Sequence, residues 1–148
     1  MKYQITKEYR FEMAHVLSNY QGRCGNIHGH SYRCLVTIEG DNLGNCGEEG
    51  MLMDFGELKR RINLLLDNLD HAFAYNKNST DEFENEVVAL CKKYNKRIFG
   101  FETRTTAEEM SKYIFEKING LLDEGVRCSK IQLFETTTGS ATYEGEEK

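Results

Sequence analysis

Apolar residues recur at every second position where the chain opens. Tyr3, Ile5, Tyr9, Phe11 and Met13 fall largely at period two, the spacing of a half-buried strand. Tyr32, Cys34, Val36 and Ile38 repeat it, predicting a second strand beyond a polar loop rich in Gly and Asn. DNLGNCGEEG predicts a turn and then a short strand around Met51 to Met53. The period then changes to that of a helix. Asp54 offers an N-cap with Glu57 in a box-like arrangement, and Leu58, Ile62, Leu65, Leu66 and Leu69 mark the apolar face. A second helix is predicted from about Thr80 to Tyr94, burying Phe83, Val87, Leu90, Cys91 and Tyr94. A short strand RIFGFE follows. Thr105 and Glu108 form a capping box before a third helix that would bury Met110, Tyr113, Ile114, Ile118 and Leu121. Strands at KIQLFE and SATYE close the chain. Mostly antiparallel strands with helices on one face make an α+β layer architecture.

At 148 residues, with no internal repeat, linker or low-complexity tract, one domain over 1–148 is expected. Proline is absent, so Gly, Asn and helix caps must set the boundaries. The net charge of -5 argues against a nucleic-acid partner, which would need a basic footprint. No apolar run approaches the roughly 18 residues of a membrane span, and MKYQITKEYRF is no signal peptide. The five cysteines are an odd number with no C-x-x-C pair, which points to a reducing cytoplasm. Cys34 and Cys91 lie in apolar patterns and are read as packing residues, whereas Arg23, Gly25 and Asn26 give Cys24 a polar, accessible setting.

Chemistry concentrates in CGNIHGH, Cys24 to His30, which holds two of the chain's four histidines. His28 and His30 share one face of an extended backbone, roughly 6.6 Å apart. His15 ends the first strand and faces them if the two strands pair as a hairpin. Three neutral imidazoles suit zinc with a fourth position open, which is catalytic equipment. A closed structural site with Cys24 as fourth ligand stands beside that reading. The fourth histidine, in LDHAFAYN, follows Asp70. A carboxylate beside His71 would raise its basicity for proton transfer, whereas a helix C-terminal histidine complementing the macrodipole is the plainer reading.

Blocks along the chain resemble a known family. FEMAH (Phe11 to His15), CGNIHGHSY (Cys24 to Tyr32), GMLMDFGELK (Gly50 to Lys59), LDH (Leu69 to His71), TTAEEMSKYIF and FETTTGSATYEGE occur in that order. Together they look like the 6-pyruvoyltetrahydropterin synthase superfamily, and more closely its bacterial branch, the 6-carboxytetrahydropterin synthases of queuosine biosynthesis. The resemblance implies a tunnelling fold: a four-stranded antiparallel sheet carrying helices, assembled into a barrel-like homo-oligomer (hexamer or tetramer) with sites at subunit interfaces. It implies one Zn2+ per chain on His15, His28 and His30, and Cys24 as the catalytic proton acceptor. Asp70 and His71 would relay protons to that thiol from a neighbouring subunit. Glu135 would anchor the pterin ring and join the relay. The implied activity is that of a lyase on 7,8-dihydroneopterin triphosphate, releasing triphosphate and acetaldehyde.

Three residues separate Cys24 from His28, as in the carboxytetrahydropterin branch; the animal-type pyruvoyl enzymes usually have a longer gap. Other readings are a pyruvoyltetrahydropterin synthase, an aldolase-like paralogue and a non-catalytic zinc or pterin-binding protein. The chain departs from the family pattern at Met13, Tyr75 and Arg104, which replaces a common proline. The stretch from about Lys77 to Thr103 is also less typical.

Overall fold

The computed structural model describes residues 3–44 and 49–146. Cys46 and part of the expected turn lie outside the described residues. Strand β1 (Tyr3–His15) and strand β2 (His28–Gly40) form a long antiparallel hairpin. Its register runs without a bulge from Tyr3 opposite Gly40 to His15 opposite His28. Alternation along both strands sends Tyr9, Phe11, Met13, Tyr32, Cys34 and Val36 to one buried face, as the period-two pattern predicts.

Helix α1 (Phe55–Leu66) starts where Asp54 accepts a hydrogen bond from the Glu57 amide. The box does not close, because the Glu57 carboxylate turns outward to Arg60 and Arg61, whose hydrogen bonds hold its pKa down to about 2. The expected strand at Met51 to Met53 does not form; those residues lead into the cap. Strand β3 (Ala72–Asn76) and strand β4 (Ile98–Phe101) flank helix α2 (Glu82–Lys93). Helix α3 (Ala107–Asn119) is capped by Thr106, one residue later than predicted, and strands β5 (Val126–Phe134) and β6 (Ser140–Tyr143) follow.

The sheet has six strands rather than the expected four, in the order β4-β3-β1-β2-β5-β6. It is mixed: β3 runs parallel to β1, and β4 parallel to β3. The strand at LDHAFAYN escapes the periodicity because a short apolar run looks the same as the tail of a helix. Its partner, β1, lies some 60 positions away in the chain.

The helices do not all share one face. The apolar sides of α1 and α3 meet the sheet in the main core, through Leu58, Ile62, Ile114 and Ile118 against Val36, Ile131 and Leu133. Val88 of α2 packs instead with Val16 and Phe73 in a separate cluster. Phe73 and Ala74 are adjacent in β3 and belong to different clusters, so α2 covers the other side of the sheet. The buried residues of α2 are Glu84 and Val88, whereas Phe83, Leu90 and Tyr94 of the predicted face are exposed.

Candidate metal centre and active site

The hairpin register assembles the three histidines. His15 stands opposite His28, and His30 lies two residues along the same face. The rings of His15 and His28 are 4.6 Å apart, those of His28 and His30 4.8 Å, and those of His15 and His30 5.2 Å. Tyr32 forms the floor, edge-on to His30 and stacked on its cross-strand partner Phe11 at 5.0 Å. Burial, and then the Glu135 charge, push the Tyr32 phenol far above its ordinary pKa.

Two of the three rings are oriented from behind. His15 Nδ1 lies 2.9 Å from the Thr105 carbonyl oxygen and 3.0 Å from the Thr105 hydroxyl, just ahead of α3. His28 Nδ1 lies 2.8 Å from the Asn26 carbonyl oxygen. A carbonyl only accepts, so both Nδ1 atoms carry a proton, which in a neutral ring leaves Nε2 bare. Those two Nε2 atoms face each other at 3.1 Å, lone pair to lone pair. His30 Nε2 is buried and lies 2.9 Å from Glu135 Oε1, yet outside hydrogen-bonding alignment, so it too has no partner. Burial, reinforced by its histidine neighbours, lowers the His15 pKa to about 4 and keeps the ring neutral. Burial lowers His30 as well, against the opposing pull of Glu135.

Among the described residues, the donor atoms of His15, His28, His30 and Glu135 all lie within 4.8 Å of one another and could hold a metal ion. Unprotonated nitrogens aimed at one point with their outer nitrogens tied to carbonyls fit a divalent cation. Glu135 follows β5 directly and is the member that the ligand reading from sequence did not include. Only the β2–β5 pairing brings it beside His30, and no local signal announces that.

Cys24 stands outside this group, half-buried on a short 3-10 turn (Arg23–Gly25) in the loop between β1 and β2. Asp70 and His71 also stand outside it. Asp70 Oδ1 accepts the Glu12 amide at 2.9 Å and lies 3.0 Å from His71 Nδ1. That amide first, and then His71, hold the Asp70 carboxyl below its usual range. His71 donates its own amide to the Glu12 carbonyl at 2.6 Å. Its φ of 60° is left-handed, a conformation costly for a residue with a Cβ and frequent at functional sites. The ring is 76% exposed. It borders a surface pocket of about 660 Å³ that extends along Glu12, Ala14, Ser31, Lys96 and the segment carrying His30.

The model of the 6-pyruvoyl tetrahydropterin synthase family matches residues 4–146. The 6-carboxy-5,6,7,8-tetrahydropterin synthase of Haemophilus influenzae is 39% identical over 143 residues, covering 96% of this chain and 99% of that one. The Aquifex aeolicus protein of the same name is 31% identical over 167 residues, covering 99% and 100%. The crystal structure of a 6-pyruvoyl tetrahydropterin synthase from Plasmodium vivax superposes with a TM-score of 0.71 at 18% identity, covering 95% of this chain and 96% of that one, and so shares the fold. With the family model spanning both ends of the described chain, this protein belongs to the 6-pyruvoyl tetrahydropterin synthase family of enzymes.

Proposed function

We propose that the protein is a zinc-dependent 6-carboxy-5,6,7,8-tetrahydropterin synthase, a lyase acting on 7,8-dihydroneopterin triphosphate in queuosine (7-deazapurine) biosynthesis. The observation that carries this reading is the convergence of the imidazoles of His15, His28 and His30, with Glu135, on one point, in a chain 39% identical to a protein of that name. Zinc on those nitrogens supplies positive charge that acidifies neighbouring substrate hydroxyls.

This chain's own residues do the rest. Thr105 and Asn26 hold two of the rings in the tautomer that leaves Nε2 free. Cys24 takes the proton from the substrate side chain, a role for which its sulfur must be deprotonated. Asp70 fixes His71 Nδ1, so that Nε2 can exchange a proton with the thiol. The 76% exposure of His71 suits a group that works on a neighbouring copy, in a homo-oligomer with sites at the subunit interfaces. Glu135 can accept two hydrogen bonds from the amino-pyrimidinone edge of the pterin, as carboxylates grip guanidinium groups. Its approach to His30 would set that anchor beside a metal held by the histidines.

Incubation of the protein with 7,8-dihydroneopterin triphosphate, with products identified by mass spectrometry, tests the reading. Acetaldehyde, triphosphate and 6-carboxytetrahydropterin are expected. Pyruvoyltetrahydropterin as the product would move the protein to the other branch of its family, and no turnover would remove the enzymatic reading.

A further inference from the structure

Glu84 is the most conspicuous group that the proposed reaction leaves unused. Its side chain is completely buried in α2. Val88, one turn on, packs with Val16 and Phe73. An apolar side chain at position 84 would cost less in such a place. The carboxyl group is committed on both oxygens: Ser18 Oγ donates to Oε1 at 2.6 Å, and the Asn76 amide donates to Oε2 at 3.3 Å.

Ser18 lies in the loop that carries Cys24. Next to it, the Leu17 amide donates to the carbonyl oxygen of Cys24 at 2.8 Å, closing the base of that loop. The Ser18 carbonyl is held from the other side by Arg104, through Nε at 3.0 Å and a terminal nitrogen at 2.5 Å. The Arg104 guanidinium also lies over the Tyr20 ring at 5.7 Å. A Cβ on Gly25 would collide with the Tyr20 carbonyl oxygen, so Tyr20 sits directly against the turn bearing the thiol. Asn19, at a left-handed φ of 55°, gives its amide to Asp81 and its side-chain amide to Thr80, at the start of α2. Thus the N-terminal end of α2 and the residue ahead of Thr105 grip one short segment, a single residue away from the bond to Cys24.

We propose that Glu84 and Arg104 are positioning residues that set the place of the Cys24 thiol by clamping Ser18 from opposite sides. The inference rests on the reading of Cys24 as the reacting thiol. It accounts for the Lys77 to Thr103 segment, because α2 within it holds the loop that bears Cys24. It accounts for Arg104 too, since a proline there could make neither bond to Ser18.

The test follows alkylation of Cys24 by iodoacetamide across a pH series, read at that residue by peptide mass spectrometry, in Ser18→Ala, Arg104→Ala, Glu84→Ala and Glu84→Gln. Loss of one buried hydrogen bond should raise the Cys24 rate about fivefold in Ser18→Ala and Arg104→Ala, with the fold retained, the melting temperature lowered, and zinc content unchanged. Displacement of the thiol should lower kcat about tenfold with KM little changed. Glu84→Gln can donate to Ser18 Oγ and accept from the Asn76 amide, so it should restore both readouts relative to Glu84→Ala. If Glu84→Ala does not fold, the Ser18 and Arg104 variants carry the test. A Cys24 alkylation rate unmoved in both of those folded variants overturns the clamp. Full turnover by Cys24→Ser would instead overturn the role of the thiol, while the alkylation rates still decide whether the clamp exists.

Discussion

The two histidine sites of this chain are built in opposite ways. His15, His28 and His30 converge, with His15 and His28 oriented from behind and the buried Nε2 of His30 left without a hydrogen-bond partner. His71 is tied to Asp70 and strained at its backbone, yet its ring is turned to solvent beside an open pocket. The first arrangement is assembled within one chain and could hold a metal ion. The second fixes its backbone and one ring nitrogen and leaves the rest of the ring exposed, as the shared site proposed above would require.

Breaking the first site should have the largest effect. His28→Ala should take bound zinc from about one per chain to nearly none by elemental analysis, with turnover lost, because three ligands are the minimum for an open site. Cys24→Ala separates metal from chemistry: zinc content should hold while kcat falls about 10²- to 10⁴-fold, the range for a positioned proton acceptor. Loss of metal in that variant would turn the site into a structural one.

The second site sharpens the contrast. His71→Ala should keep zinc and fold yet lose about 10²-fold in kcat. Mixing unfolded and refolded His71→Ala with Cys24→Ala should restore part of the activity if neighbouring copies complete each other's sites. An inert mixture, with heteromers verified by native mass spectrometry, would place both groups in one chain's site.

Acid should probe the first site in the metal-free protein. The folded state lowers the His15 pKa from 6.5 to about 4, so the unfolded chain binds the proton first as pH falls. Stability should therefore be intact above about pH 6.5 and decline by about 3 kcal/mol toward pH 4, then level off, in denaturant titrations. His15→Gln should reduce that slope. The smallest effect is expected from Thr105→Val, which keeps the carbonyl but removes the hydroxyl behind His15; zinc affinity should drop about tenfold in competition with a chelator.

How much is legible in the sequence follows from how local each feature is. The histidine trio is readable because strand alternation puts His28 and His30 on one face and a hairpin returns His15 to it. Glu135 in the cluster is not readable, since the β2–β5 register comes from packing far along the chain. For α2 the apolar positions point to Phe83, Val87, Leu90 and Tyr94, but the helix buries Glu84 and Val88. A pattern scored on hydrophobicity cannot foresee a carboxyl turned inward to bind Ser18 and Asn76. The capping residue of α3 shifts by one because Thr105 and Thr106 are adjacent and chemically alike. Thr106 takes the cap and frees Thr105 for His15.

The uninterrupted β1–β2 ladder has a consequence for how such a chain can change. Side chains alternate with period two, so inserting or deleting one residue anywhere between Tyr3 and His15 would turn all downstream positions to the other face. Any such event would swing His15 away from His28, and one ahead of Phe11 would expose that ring as well. Catalytic competence and the hydrophobic interior are thus read from one ruler, and a lineage can lengthen the connecting loop far more freely than it can edit either strand.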